Sequence, residues 1–463
     1  MSSGGGHGGG LPFLHIIDGW LGNAHQGGGF SMPGNALFIA GAAELIAFFL
    51  IAPQQTLVNF EFLLFLSPLW IPLLLGRFAL IRFIQARRVE YIATQDTVLL
   101  ELKLPRDTRK PPLAMETILA NLHLASGEAT WYKRYVLGRS RPWYSLELVS
   151  LGGKVHMYIW TRETFRRPIE TFLYAQYPGI EVIEASDYSR LTDPTHAPYK
   201  MTAFEFLKTT IDAYPIKTYT DFGLDMVQKP EETVDPLAQL LETLGSLGPK
   251  EQAWVQLIVR ASKAEKYEGR KNASGKNYDW KDEGKEEIER IRQELVIQNK
   301  YVDAMGNLQT TNGFPNPTEG QKDKIKAIER NIGKLAYDVG IRAIYLAPGD
   351  SYHKSMGSLM SNLFKPFTSE QYNGLKPGSR WSEHFNDYPW EDFGGHHLAH
   401  AMHTVLEFYR MRAFFHPPYT GKWNTMSIEE LASLFHIPSS SVTTPSLPRI
   451  QSTSNAAPSN LPT

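Results

Sequence analysis

Cysteine is absent from the 463 residues. Disulfides, thiolate metal sites, iron–sulfur clusters and a cysteine nucleophile are therefore excluded, while the compartment stays open. A surplus of either charge is missing too: 47 Lys and Arg face 48 Asp and Glu, a formal net charge of -1. That balance excludes a wholly basic nucleic-acid binder, whose affinity would rest on neutralising phosphates. The common catalytic strings are also missing. The nearest approach to a phosphate-binding loop runs from Gly269 to Asn277. It has five residues between its glycines, Asn where the magnesium ligand belongs, and a charged run where a strand should precede it. No G-x-S-x-G, no H-E-x-x-H and no strand-to-helix G-x-G-x-x-G occurs. No catalytic residue and no cofactor are expected, and the chain reads as a non-enzyme.

Basic residues are missing from the N-terminal part, with none before Arg77. A secretory signal peptide needs a basic n-region and is not expected. The first thirty residues hold 11 of the 37 glycines, so residues 1–34 read as a flexible tail. Within it, Leu11–Leu21 is apolar and fits either a membrane surface or a docking segment. Two apolar stretches follow. Ala36–Ala52 carries one charge, Glu44, and Phe62–Phe83 carries none until Arg77. A span needs about 20 apolar residues, and Pro53–Glu61 suits a tight turn between two of them. Arg82, Arg87 and Arg88 then mark the cytoplasmic side. The expectation is a two-span hairpin over residues 35–88 in the inner (cytoplasmic) membrane, with the remaining domains cytoplasmic. A buried helical hairpin is the alternative.

At 42% hydrophobic and 21% charged, the rest of the chain can bury real cores. Residues 89–190 read as strand, helix, strand, strand, helix, strand: Thr97–Leu104, Leu113–Leu124, Tyr144–Ser150 and Val155–Trp160 around Gly152-Gly153, Thr164–Tyr177, and Ile180–Ile183. This is the ferredoxin-like order. A second copy is traced over residues 200–425, through Phe204–Ile211, Asp235–Leu247, Trp254–Arg260, Ile341–Ala347 and Tyr352–Phe364. A charged helical insertion, Lys263–Lys334, interrupts it, and it fits an exposed excursion or a docking arm. The fold class expected is α+β, a transmembrane hairpin followed by two ferredoxin-like units. Residues 426–463 read as a docking segment and a disordered Pro/Ser/Thr-rich tail.

Two clusters invite a function. His396, His400 and His403 share one helix face at metal-ligand spacing, although no carboxylate stands by to orient the rings. A polar or partly packed helix face is the preferred reading, and no metal is expected. Trp131, Lys133, Arg134, Arg139 and Arg141 interleave aromatic and basic side chains. They fit nucleic acid, lipid headgroups, a protein partner or a plain surface. His156, Tyr158 and Trp160 line one side of a strand, where Glu101 and Glu147 would repel phosphate.

The strings YSLELVSLGGKVHMYIWTRETFRRPIETFLYAQYPGIEVIEASDY, DPLAQLLETLGSLGPKEQAWVQLIVR and FFHPPYTGKWNTMSIEELASLFHIPSSSVTTPSLPRI carry a resemblance. They resemble the membrane-anchored N-terminal region of coupling-protein-like ATPases linked to conjugation and type IV secretion in small-genome bacteria. In such relatives a phosphate-loop ATPase follows, whereas this chain stops at Thr463. The resemblance implies a non-catalytic component of a translocation system, with membrane lipid, a separate phosphate-loop ATPase and other secretion-system subunits as partners. It also implies that Met426–Pro438 leads toward the motor, with Leu431, Leu434 and Phe435 as contact residues. Self-association and direct nucleic-acid binding are left open. The alternative is a membrane adaptor or scaffold unrelated to DNA transfer.

Overall fold

The computed structural model describes residues 46–105, 110–128, 130–190, 199–226, 234–267, 269–294, 297–302, 308–313, 317–378, 396–416, 419–439 and 447–450. The glycine-rich tail, Glu44 and the C-terminal tail beyond residue 450 lie outside them. Two compact units divide the chain, residues 1–86 with 265–269, and residues 87–264 with 270–463.

The first unit corrects the expected membrane hairpin and, with it, the two-span inner-membrane location. Pro53–Glu61, expected as the turn, is helical and belongs to α1 (Pro53–Phe65). Thirteen residues rise about 20 Å, short of the roughly 30 Å hydrocarbon core. Helix α2 (Ser67–Ala93) is long enough. Arg77, Arg82, Arg87, Arg88 and Glu90 interrupt its apolar run, however, leaving about ten uncharged residues at its start. The two helical stretches are bent by 51° at their break. Among the described residues, no single helix is long and apolar enough to cross a membrane.

The second unit is built on one sheet of ten strands, all but one of whose pairings are antiparallel. Its first half contains β1 (Thr97–Pro105), α3 (Leu113–Asn121), β2 (Trp143–Leu151), β3 (Lys154–Arg162), α4 (Arg166–Gln176) and β4 (Glu181–Glu184). These strands pair in the order β4-β1-β3-β2. The second half contains β5 (Tyr199–Lys208), α5 (Pro236–Gly245), β6 (Gln252–Ala261), β9 (Ala336–Pro348), α8 (Lys354–Ser361) and β10 (Leu375–Pro377). They repeat that order as β10-β5-β9-β6. Strands β2 and β6 join the halves edge to edge in continuous register from Trp143 opposite Arg260 to Leu151 opposite Gln252. Each half thereby hides the strand edge it would otherwise expose.

Alternation along the strands supplies two cores. Leu100, Leu102, Val255, Leu257, Ile341 and Ala343 face one side, under α3, α4, α5 and α8. Leu99, Trp143, Trp160, Trp254, Ile258 and Ile344 face the other. That second face is covered by α9 (His396–Arg410) and the small hairpin β11 (Phe415–His416) and β12 (Tyr419–Thr420), which bring Val405, Leu406, Tyr409, Phe415 and Tyr419 onto it. Tyr158 and Trp160, on the same face as His156, are thus buried in this second core.

The charged insertion forms α6 (Trp280–Glu294), a hairpin of β7 (Ile297–Val302) and β8 (Leu308–Gly313), and α7 (Glu319–Ile332). It is anchored, not free-standing: Ile288, Ile291 and Ile328 share a small core with Ala213 and Tyr214. After β12 the chain adds β13 (Asn424–Ser427) to β9, then α10 (Ile428–Leu434), and β14 (Arg449–Ile450) beside β1. Ser427 and Glu430 form a reciprocal capping box that starts α10. The Glu430 carboxylate is then buried against the Lys208 ammonium at 2.7 Å.

Candidate functional site

A cavity of about 330 Å³ opens on the second sheet face, where β2 begins and β3 ends. Its floor is Trp143, Trp160 and Arg162. One wall is the last turn of α2, with Val89, Ile92 and Ala93, and the other is the corner Arg410–His416 between α9 and β11. The size falls at the small end of the roughly 300–1,000 Å³ typical of small-molecule pockets.

Arginine dominates its charge. Of the four lining arginines, Arg412 is held by Glu147 at 3.0 Å and Asp187 at 2.5 Å. Arg410 is held by Glu407 at 2.7 Å, and Arg190 lies 3.8 Å from Asp187. Arg162 has no carboxylate within ion-pair distance among the described residues. Its Nη2 donates to Ser140 Oγ at 3.0 Å and its Nη1 to the Tyr91 hydroxyl at 3.4 Å. The guanidinium stacks 4.7 Å above the Trp143 ring. Burial lowers the Arg162 pKa, with Tyr91, Tyr144 and Glu128 opposing it, and a guanidinium so placed stays charged at neutral pH.

His416 sits edge-on to Trp143, ring centroids 6.1 Å apart. Its burial, reinforced by the positive charges of Arg260, Arg88, Arg141 and Arg162, pushes its pKa well below the ordinary histidine range. The ring is therefore neutral and carries one proton. Arg88 Nη1 lies 3.2 Å from Nδ1. A guanidinium only donates, so Nδ1 accepts and the proton resides on Nε2.

Three buried donors then lack an acceptor among the described residues: Trp143 Nε1, Arg162 Nε and His416 Nε2. Buried polar groups are paired in the great majority of cases, and each orphan costs about 1–3 kcal/mol. Here three orphans belong to residues lining one cavity. The orphan atoms themselves are closed off from the cavity, and what faces an occupant is the charge of Arg162, without a carboxylate at ion-pair distance, beside apolar walls.

The corner that closes the cavity is shaped by a helix cap. Helix α9 ends with the Arg412 amide donating to the Tyr409 carbonyl and the Ala413 amide to the Phe408 carbonyl, both at 3.0 Å. This paired ending places its left-handed residue at Arg412, φ 49°, where glycine is usual. The side chain is held there because Glu147, fully buried on β2, also accepts from Ser145, Tyr188 and Gln256 and needs a cation.

The residues expected from sequence fall elsewhere. Trp131, Lys133 and Arg139 are exposed and Arg134 half-buried around a π-helical turn, Tyr132–Val136. Arg141 separates from them: it is buried, with Glu128 at 3.4 Å and the Ala261 carbonyl at 2.7 Å. The basic and aromatic run is thus one exposed turn and one core arginine. Leu431, Leu434 and Phe435 are fully buried in the larger core, which corrects their reading as contact residues. His400 and His403 are exposed on α9, and the His396 side chain lies outside the described residues. No group of three or more His, Asp or Glu among the described residues is placed to hold a metal ion.

Sequence reasoning missed Arg162 and His416, and took Trp143 only as the continuation of the basic and aromatic run that begins at Trp131. The only local signal is the density of aromatic residues and arginine in Arg141–Tyr144, Trp160–Arg162 and Met411–His416. Comparison with known families identifies the chain as a member of the family defined by a domain of unknown function, DUF8128, matched over residues 84–449. That match spans the whole cavity and carries no link to coupling-protein-like ATPases or to a particular group of organisms. Comparison with curated proteins gives no match.

Proposed function

We propose that this chain is a non-catalytic binding module whose cavity takes up a small anion. The observation that carries the reading is that Arg162, which has no carboxylate at ion-pair distance among the described residues, lines a cavity together with the apolar Val89, Ile92 and Ala93. The non-catalytic part is supported by how the titratable groups are used. His416 is held neutral with Nδ1 occupied by Arg88, and Asp187 is tied to Arg412, so neither serves as a base near neutral pH. Thermal unfolding of the full chain with acetate, sulfate and inorganic phosphate tests the proposal. An anion that binds only the folded state raises the midpoint, and Arg162→Gln should abolish the rise. If none of the three shifts the wild-type midpoint more than it shifts that of Arg162→Gln, the reading fails.

Docking of a separate phosphate-loop ATPase is a second proposal, carried by the sequence resemblance alone. Because Leu431, Leu434 and Phe435 are core, such docking would use another surface, and the exposed turn at Trp131, Tyr132 and Lys133 is the best placed. A pull-down from cell extract, wild type against Trp131→Ala/Lys133→Ala, tests it. Equal recovery of an ATPase by both chains would exclude that turn, and recovery by neither would remove the docking role.

A further inference from the structure

We infer that the first unit docks on lipid, with α1 and α2 entering one leaflet of an anionic bilayer and not crossing it. The observation is apolar side chains left in the open: Ile51 is 83% exposed, Phe65 80% and Leu73 74%. Exposed apolar surface of this extent marks an interaction site. Its distribution selects the occupant. At about 100° per residue, Leu69, Ile71, Leu73, Phe78, Ile81 and Phe83 point to all sides of α2. A second copy of the chain, or any other single protein partner, would cover one face and leave the rest in water. Acyl chains enclose such a helix, and helices apolar all round belong in a core or a membrane. The backbone between the helices meets the same demand, since hydrocarbon penalises unpaired peptide groups. There the Leu66 amide donates to the Phe62 carbonyl and the Leu69 amide to the Leu66 carbonyl, both at 3.0 Å, and Pro68 has no amide to pair.

Length and bend set the depth. With each limb inclined by half of the 51° bend, the ten or so uncharged residues that open α2, at about 1.5 Å rise each, lower the bend by about 6 Å. That falls within the roughly 5–10 Å to which interfacial helices sink. Glu61, the single charge of α1, is exposed and stands a turn before the bend, shallow enough to reach the headgroups. Charge selects the lipid. The first two charges after the apolar opening of α2 are Arg77 and Arg82, and the Arg82 guanidinium lies 5.1 Å from the Phe78 ring. Cations that follow an apolar run in this way lay their stems on it and carry their heads to lipid phosphates.

Flotation of the full chain, synthesised in vitro with vesicles of phosphatidylcholine and phosphatidylglycerol, tests the assignment. The wild type should float, whereas Phe65→Asp/Leu73→Asp should stay at the bottom with an unchanged urea midpoint, because both side chains are exposed. A wild type that stays at the bottom, or a double variant that floats as well, would overturn lipid docking. Because the chain has no cysteine, Phe65→Cys accepts a single environment-sensitive fluorophore. Its emission should shift to the blue only when vesicles are present. A blue shift in a lipid-free oligomer would assign the surface to a second copy, and unshifted emission from floating protein would place the bend in water beyond the leaflet. Either result overturns the inference. Arg82→Gln should weaken binding to these vesicles about fivefold and leave binding to pure phosphatidylcholine unchanged. Equal affinity of the wild type for both vesicle types would overturn the anionic-lipid assignment.

Discussion

Replacing Arg412 separates two opposing terms at the corner that closes the cavity. Its guanidinium is the cation for Glu147, which is fully buried, and lies 5.8 Å from the Trp160 ring. Arg412→Met removes that cation and leaves a buried carboxylate uncompensated, a change that costs about 3–5 kcal/mol. Arg412→Gly removes the same cation but also relieves the left-handed backbone, φ 49°. Strain there is worth about 1–2 kcal/mol, offset by about 0.5–1 kcal/mol for the greater freedom glycine loses on folding. The glycine variant should therefore be about 0–1.5 kcal/mol more stable than the methionine variant, and both well below wild type. Urea unfolding followed by tryptophan fluorescence reads these differences as midpoint shifts. Adding Glu147→Gln to Arg412→Met should restore part of the loss, since the stranded charge goes with it. A methionine variant within about 1 kcal/mol of wild type, or a double variant no better than the single, would refute the argument.

Three further outcomes follow from the same packing. Leu431→Ala should destabilise the fold by about 2–5 kcal/mol, as a fully buried leucine does, and a neutral result in denaturant would return α10 to the surface. Gly138→Ala should cost about 2–4 kcal/mol: φ is +63°, and the new Cβ would stand 2.3 Å from the backbone carbonyl oxygen of Arg87, which cannot swing aside. Asp187 is raised by burial but more strongly lowered by Arg412 and Ser189, so its folded pKa lies below the ordinary 3.8. Its stabilisation is full above that value and is lost as pH falls through the folded pKa. The stability gap between wild type and Asp187→Asn should accordingly shrink on acidification below about pH 4, and a gap that widens there would contradict the sign.

Local chemistry was enough to read several elements from the chain alone. Gly152 and Gly153 between two apolar strands mark the turn between β2 and β3, where φ is positive at both. Asp235 before Pro236 marks the start of α5, and its carboxylate accepts from the Leu237 amide. Apolar spacing in Leu113–Leu124 marks α3, whose Met115, Ile118 and Leu119 are buried. Each of these signals lies within a few residues of its effect. Apolarity alone misled at the N-terminal end, because a long run of leucine and phenylalanine states hydrophobicity but not where helices break or where arginines fall along them. The family resemblance misled at Leu431, Leu434 and Phe435, because apolar residues at that spacing serve a docking face and a core face alike. Only the tertiary structure, in which β13 pairs with β9 and seats α10 against the larger core, decided between them.

The cavity belongs wholly to that second category. Trp143 and Arg162 begin and end neighbouring strands, Val89 and Ile92 come from α2, and His416 arrives more than two hundred residues later. No spacing in the sequence relates them. The orphan status of their N–H groups is a property of burial, which exists only once β2, β3, α2 and the Arg412 corner have closed around them. Composition and periodicity determined which segments are strands and helices, because those are short-range preferences. Which donors are left without acceptors, and which arginine without a carboxylate, depended on long-range pairing and was decided by the fold.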